Sequence, residues 1–459
     1  MTDKSLQVHG HLTRGFGLLQ STALNISNVV GVGPFITIPL MLATMGGPQA
    51  LLGWISGALL AICDGQVWSE LGSVWPGSGG SYRYLKEAYG PQKFGSLLAF
   101  LFIWQFILSG PLEISSGMIG FSQYASFLWP AMLPLTRKLV AAGVGVIAII
   151  FLYRRTTLVG KLALILGTGT LVTMIVVIFS GLPHFDAKLA FSFPPGAFSF
   201  KTGFFLGLGS SMLIAMYDYL GYYDVCYIGD EVRDPGRTIP RSILLSAVLV
   251  CGLFVALHMA MLGVVNWHEV PLEKPEVDTF SLAAEFMKRL HDPWAVTLVT
   301  VLLMWSCFGS AFAGMLAYSR IPFGAARYGH FFGMLGRVHP NLAIPHISLL
   351  FVGILTLVWS FFGLQTVIDA LVTTRILEQF VAQCFGVVLL RWKDPDRPRP
   401  YRMWLYPLPC ALALVGWLYM YLSARGLFIA LGLGTLGVGV LVFSIWSAVR
   451  RPAGGSSAH

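Results

Sequence analysis

Long apolar runs alternate with short polar clusters along the whole chain, and the runs are too long for strands of a soluble sheet. From Gly15 to Cys63 no charged residue occurs. That is length for two helices, separated by the turn signal Thr44-Met45-Gly46-Gly47-Pro48. A helix needs about 20 apolar residues to cross the hydrocarbon of a bilayer. Stretches of this kind fall at 15–43, 50–72, 94–127, 139–153, 158–181, 203–227, 242–265, 294–319, 346–362, 366–390, 405–422 and 427–449. The pattern predicts an all-α integral membrane protein of about twelve transmembrane helices. Two spans are less regular: 139–153 is short, and 203–227 contains two Asp. Between 266 and 293 the segment Thr279–Leu290 has the period of an amphipathic helix, which reads either as an external lid or as an ordinary solvated loop helix.

Composition agrees with the pattern. Of 459 residues, 56% are hydrophobic and 11% are charged, against about 25% charged in a soluble domain. A soluble enzyme, a nucleic-acid module and a disordered chain are thereby excluded as descriptions of the whole. The net charge of +9 is a topology signal, because basic residues collect in cytoplasmic loops. With both tails assigned inside, 20 of the 30 Lys and Arg are cytoplasmic and eight are external, which predicts a multi-pass protein of the cell membrane with both termini in the cytoplasm. The first span is too long for a cleavable signal peptide and is expected to insert directly. The six cysteines are scattered, without a CxxC pair and without one in an external loop. No metal, no cofactor, no structural disulfide and no disulfide-linked heavy subunit are therefore expected. Neither HExxH nor GxSxG occurs, so the chain is not expected to be an enzyme.

Two spans carry backbone-breaking residues at comparable positions. The first has Gly31, Gly33 and Pro34 in mid-span; the sixth has Tyr217-Asp218-Tyr219-Leu220-Gly221-Tyr222-Tyr223-Asp224. Unwound backbone at membrane depth is tolerated where it lines a cavity, and paired interruptions point to a transporter built from repeats. Each break alone is equally a simple kink. Both open a five-helix unit, giving an expected division into 1–181, 182–390 with the external helix near 279–290, and 391–459 with helices 11 and 12 and a disordered tail.

The acids within spans are Asp64, Glu113, Asp218, Asp224, Asp369 and Glu378, against Lys161 and Arg375. A carboxylate in hydrocarbon must be paired, protonated or facing water. Glu113 is the only charge between Lys93 and Arg137 and reads as an amine ligand, a proton site or a neutral Glu bonded to a neighbouring helix. Asp218, in the break, meets a cation or caps a half-helix. Arg375 and Glu378, three residues apart, are expected to form an ion pair on one helix face, and that pair reads as structural or as part of a gate. Asp64 and His258 read as structural partners, Asp224 as bonded to a neighbour, and Trp104, Tyr222, Tyr223 and Trp305 as packing or pocket walls. Lys161, about 9 Å along the helix from Arg155, can snorkel to the interface.

Motifs in the polar segments then add to this reading. Gly31-Val32-Gly33-Pro34-Phe35 is similar to the first-helix GSGIF motif of the amino acid–polyamine–organocation transporter superfamily. Glu70-Leu71-Gly72, Pro76–Tyr82, Asp230–Arg241, Ser319-Arg320, His339-Pro340 and Arg397–Arg402 resemble that family in order and spacing. The resemblance covers nearly the whole chain. It implies a LeuT-like inverted repeat of five plus five helices, discontinuous helices 1 and 6, and alternating access around a substrate held between them. It further implies that a substrate carboxylate meets the amides of Val32 and Gly33 beside Gly31. The amine would meet carbonyls near Val29, Val30, Tyr217, Asp218 and Leu220, with Tyr217 as the outer gate. Pro34 departs from the pattern, since proline has no N–H to offer a carboxylate. Lys161 matches the lysine that replaces a bound Na⁺ in sodium-independent members and exchanges protons. The expected function is Na⁺-independent, proton-coupled symport or exchange of amino acids or related amines. The interior acids favour cationic amino acids or polyamines, with neutral amino acids as the alternative and a non-transporting nutrient receptor as the alternative of another class. Expected partners are the small-molecule substrate, protons and membrane lipid, with no nucleic acid.

Overall fold

Backbone polar groups in hydrocarbon must be satisfied inside their own helix or by neighbouring protein, and the apolar runs fold accordingly. The computed structural model describes residues 12–31, 33–90, 94–271, 282–290, 293–329, 331–362 and 374–450. Among these residues there is no strand, only the isolated bridges Phe16 with Val232 and Ser78 with Ile228.

The first expected span is two helices, α1 (Leu18–Val29) and α2 (Gly33–Met45), bent by 45° at the break. There follow α3 (Leu51–Val74), α4 (Ser81–Tyr89), α5 (Phe94–Leu128), α6 (Pro134–Leu152), α7 (Thr156–Gly181), the single turn α8 (Ala187–Ala190) and α9 (Thr202–Tyr219). The second half contains α10 (Pro235–Leu262), α11 (Leu282–Leu290), α12 (Pro293–Tyr318), α13 (Arg320–Arg327), α14 (His346–Trp359), α15 (Ala382–Lys393), α16 (Leu408–Ser423) and α17 (Gly426–Arg450). A π-helical segment, Ile376–Val381, leads into α15.

Seven helical segments among the described residues are each long and apolar enough to cross a membrane, and the bent pair α1 and α2 makes an eighth. The helices α9, α14, α15 and α16 have 18, 14, 12 and 16 residues. At 1.5 Å per residue they fall short of a core about 30 Å thick on their own. The expected twelve spans thus depend at these four places on the segments that flank the helices. One of those segments, with Asp369, lies outside the described residues.

The two breaks have local causes. Pro34 stands in the first turn of α2, where its missing N–H costs no helical bond. Chain turning after α9 falls on Gly221, whose φ is +111°. A Cβ there would also come within 2.7 Å of the Asn28 amide nitrogen, so glycine is required twice over.

Helices of the first half pack on helices of the second: α3 lies on α10, α5 on α12, and α6 on α14. The broken helices are enclosed by them, with α1 against α7, α10 and α12, and α2 against α9. Stacked aromatics fix the unwound segment to this frame, for Tyr223 lies parallel to Trp68 of α3 with ring centroids 4.2 Å apart. Such a pair adds about 0.5–1.5 kcal/mol beyond its buried area.

Polar chemistry gathers at the two ends. At one, the amphipathic α11 buries Leu282, Phe286 and Met287 and packs on α12 and α2. Arg289 on its open side bonds Glu269 and Glu285, which raises the arginine pKa. Residues 279–281 of the expected helix lie outside the described residues. The opposite, basic end brings the polar motifs together. Arg320 meets both carboxylate oxygens of Glu231, at 2.6 and 3.2 Å. Arg391 does the same with Glu70, at 2.8 and 2.7 Å. The amides of Gly15 and Phe16 donate to the Glu231 carbonyl, so the segment just before α1 is clamped at this end.

Candidate functional site

The start of α2 faces the end of α9 at very short range. A Cβ on Gly33 would stand 1.8 Å from Oδ1 of Asp218, so the Asp218 carboxylate lies directly on the backbone that opens α2. The hydroxyl of Thr37, one turn further on, donates to Oδ2, while Oδ1 has no hydrogen-bond partner among the described residues. A helix N-terminus favours a negative group through its unpaired N–H groups and its dipole. Here the protein itself supplies that group.

The unwound segment after α9 is held by side chains of α1. The Asn25 carboxamide donates to the carbonyl of Tyr222 at 2.6 Å and accepts from the amide of Val225 at 3.0 Å. One side chain therefore satisfies a donor and an acceptor that the break releases, groups that would each cost about 1–3 kcal/mol if left unpaired. Ser310 of α12 donates to the Asn28 carbonyl at 3.1 Å. Neither asparagine nor Ser310 was singled out from sequence. The available signal was the pair of Asn at spacing three in a span that carries no charge.

Between the breaks lies a cavity of about 20 Å³, room for roughly one water. Of the expected site residues, Val29, Gly31, Gly33, Glu113, Tyr217, Asp218 and Leu220 line it. Val30 is buried outside the lining, and Val32 is not among the described residues. Asn28, Ser116, Gly117 and Ser310 complete the wall. Tyr217 is 8% exposed and its ring edge would be 3.6 Å from a Cβ on Gly33, so it packs over the break. The proposed pocket aromatics stand elsewhere: the Trp104 indole donates to the Thr435 carbonyl and that of Trp305 to the Leu166 carbonyl.

Glu113 is fully engaged. Its Oε2 accepts from Arg375 at 2.5 Å and its Oε1 from the Tyr318 hydroxyl at 2.5 Å. Arg375 also donates to Ser109 at 2.8 Å and lies 4.7 Å from the centroid of Phe106. This corrects the expected pairing of Arg375 with Glu378. The i, i+3 argument assumes an α-helix, whereas residues 376–381 form a π-helix, whose wider turn changes which residues share a face. Both carboxylate oxygens of Glu378, and both of Asp224, are buried without a hydrogen-bond partner among the described residues. Asp64, by contrast, accepts from Tyr222 at 2.5 Å and from Trp417 at 3.1 Å, and His258 accepts from Trp54 at 3.1 Å. Lys161 is exposed on α7, with no ion pair among the described residues. No group of three or more His, Cys, Asp or Glu among them is placed to hold a metal.

A broken helix and the unwound end of a second one, meeting at a small polar-walled cavity inside an apolar bundle, fit the architecture of a secondary transporter. The chain belongs to the amino acid permease family, whose sequence profile matches residues 16–443. It is 27% identical over 402 residues to the human cystine/glutamate transporter, covering 86% of this chain and 77% of that one. With the serine/threonine exchanger SteT of Bacillus subtilis it shares 25% identity over 413 residues, 88% and 90% of the two chains. The human large neutral amino acids transporter small subunit 2 is 26% identical over 455 residues, 95% and 76%. The chain is thus a multi-pass membrane protein of an amino acid transporter family, not an enzyme.

Proposed function

We propose that the protein is a Na⁺-independent secondary transporter for a substrate with net positive charge, a cationic amino acid or a polyamine, moved by alternating access around the cavity between α1 and α9. The observation that carries this reading is Asp218. Its carboxylate lines the cavity, rests on the start of α2 and has no cationic partner among the described residues. An acid so placed in a membrane interior needs a counter-charge, either the substrate's ammonium or a proton. Because Asp218 already occupies the positive end of α2 and Pro34 offers no N–H, a substrate carboxylate is weakly held there.

A second reading, transport of a neutral amino acid together with a proton on Asp218, is favoured by the engagement of Glu113 with Arg375. The names of the serine/threonine and large neutral amino acid relatives lean the same way. Competitive uptake in proteoliposomes with arginine, putrescine and leucine separates the two. Competition by leucine alone contradicts the cationic reading. Ligand-dependent thermal stabilisation without any flux would instead indicate a nutrient receptor.

In this proposal the coupling is to protons, by symport or exchange, and Lys161 supplies the charge that a bound Na⁺ supplies elsewhere. Two facts support that role: α7 packs on α1 and α12, and the Lys161 ammonium is free of ion pairs among the described residues. The residue is exposed in this structure, as a lysine that snorkels would be, so the role requires it to turn inward elsewhere in the transport cycle. The 1–181 and 182–390 units are proposed as the two repeats on the strength of their pairwise packing, with α11 as the external lid. Both termini are placed in the cytoplasm, the protein in the cell membrane. All six cysteines are buried and free, which supports function without a disulfide-linked heavy subunit.

A further inference from the structure

Two carboxylates face one small cavity from opposite elements, Asp218 at the end of α9 and Glu113 on α5. They differ in what they can offer a ligand. Glu113 is bound by Arg375 on one oxygen and Tyr318 on the other, so neither oxygen is free. Arg375 is 1% exposed, does not itself line the cavity, and is held from three sides by Ser109, Phe106 and the Tyr318 ring. Its remaining terminal nitrogen, Nη2, has no hydrogen-bond partner among the described residues. The side chain is therefore a buried cation behind the cavity wall, held on the one carboxylate, Glu113, that faces the cavity opposite Asp218.

We infer that Arg375 is a specificity-determining residue: a tethered counter-ion that occupies Glu113 and so restricts the site to substrates with one uncompensated positive charge. The inference rests on the reading of Asp218 as the cargo's counter-charge and narrows it. With Arg375 in place the cavity presents a single free carboxylate. An α,ω-diamine such as putrescine brings two charges and finds one partner, while arginine has a net charge of one. Removing the guanidinium turns Glu113 into a second ammonium subsite. Removing the Glu113 charge instead leaves Arg375 uncompensated beside the cavity and makes it an anion subsite. Arg375 acts through Glu113, which lines the cavity, and is thus a positioning residue.

The test uses the full-length protein in detergent, with apparent affinities for putrescine, arginine, leucine and glutamate from ligand-dependent thermal stabilisation. Arg375→Gln is expected to raise the affinity for putrescine relative to arginine at least tenfold. Glu113→Gln is expected to lower arginine affinity relative to glutamate at least tenfold. In the double variant Glu113→Gln/Arg375→Gln both ratios return to within about threefold of the wild type, because replacing both members of a buried pair leaves no uncompensated charge. Ratios unchanged within threefold in both single variants would overturn the inference, and so would a double variant that keeps either single variant's preference. If Arg375→Gln does not fold, the Glu113→Gln ratio decides alone. A wild type that prefers leucine to arginine contradicts the cationic reading of the protein but leaves the ratio shifts as a valid measure of Arg375. A wild type that binds none of the four contradicts both.

Discussion

The basic end and the central cavity bury the same kind of group and treat it in opposite ways. At the basic end Glu231 and Glu70 are both wholly buried, and each receives two charge-assisted hydrogen bonds from an arginine. At the cavity Asp218 has one oxygen without a partner, and outside its lining Asp224 and Glu378 are buried with two each among the described residues. Satisfied charge pairs hold a conformation, since removing one partner strands the other in a poor solvent. A buried carboxylate without an ionic partner holds less and leaves room for a counter-charge, and of the three Asp218 is the one that lines the cavity. The first region reads as the lock that keeps the basic end closed, and the second as the place where cargo or a proton completes the structure. Glu113 belongs to the first kind by its contacts and to the second by its position, which is why its arginine matters for selectivity.

The largest expected effect comes from breaking the lock. Arg320→Ala leaves Glu231 buried and unpaired, and is expected to destabilise the protein by about 3–5 kcal/mol, read as a loss of melting temperature in detergent. A melting temperature equal to the wild type would mean that Glu231 is hydrated and the basic end open. Next in size is Asn25→Ala. It removes the clip on the unwound segment, at an expected cost of about 1–3 kcal/mol, and loosens Tyr222 and Val225 enough to raise amide exchange there. Exchange confined to wild-type levels would show that the break holds itself. The smallest effect on stability belongs to Lys161→Ala, which is exposed and should change folding by under about 0.5 kcal/mol. Its uptake should nevertheless collapse with binding partly retained. Full uptake by that variant would remove the sodium-replacing role.

Much of this contrast could be read from the chain. Gly31, Gly33, Pro34 and Gly221 announce the breaks because no other residues are needed mid-span for that purpose, and Glu113 stands out as an isolated charge in apolar surroundings. Partners are what the linear pattern could not supply. Arg375 and Glu113 are separated by 262 positions, and the local rule pointed to Glu378 because a π-helical turn has no signature in residue spacing. Glu231 and Arg320 both fall in recognisable motifs, yet their meeting depends on how α12 and the segment after α9 pack. Asn25 shows a subtler limit. A carboxamide in an uncharged helix carries no information about whether it binds cargo, a neighbour or, as here, the unwound backbone that follows another helix.

The central claim is that Asp218 is the counter-charge of the cargo and not a structural group. The direct test is uptake and melting of Asp218→Asn, measured side by side on the same preparation. Asparagine keeps a partner for Thr37 and removes an uncompensated buried charge, so the melting temperature should stay level or rise. Uptake of the best wild-type substrate should fall at least hundredfold, about 2.7 kcal/mol. A variant that melts several degrees lower while still transporting at the wild-type rate would contradict the account.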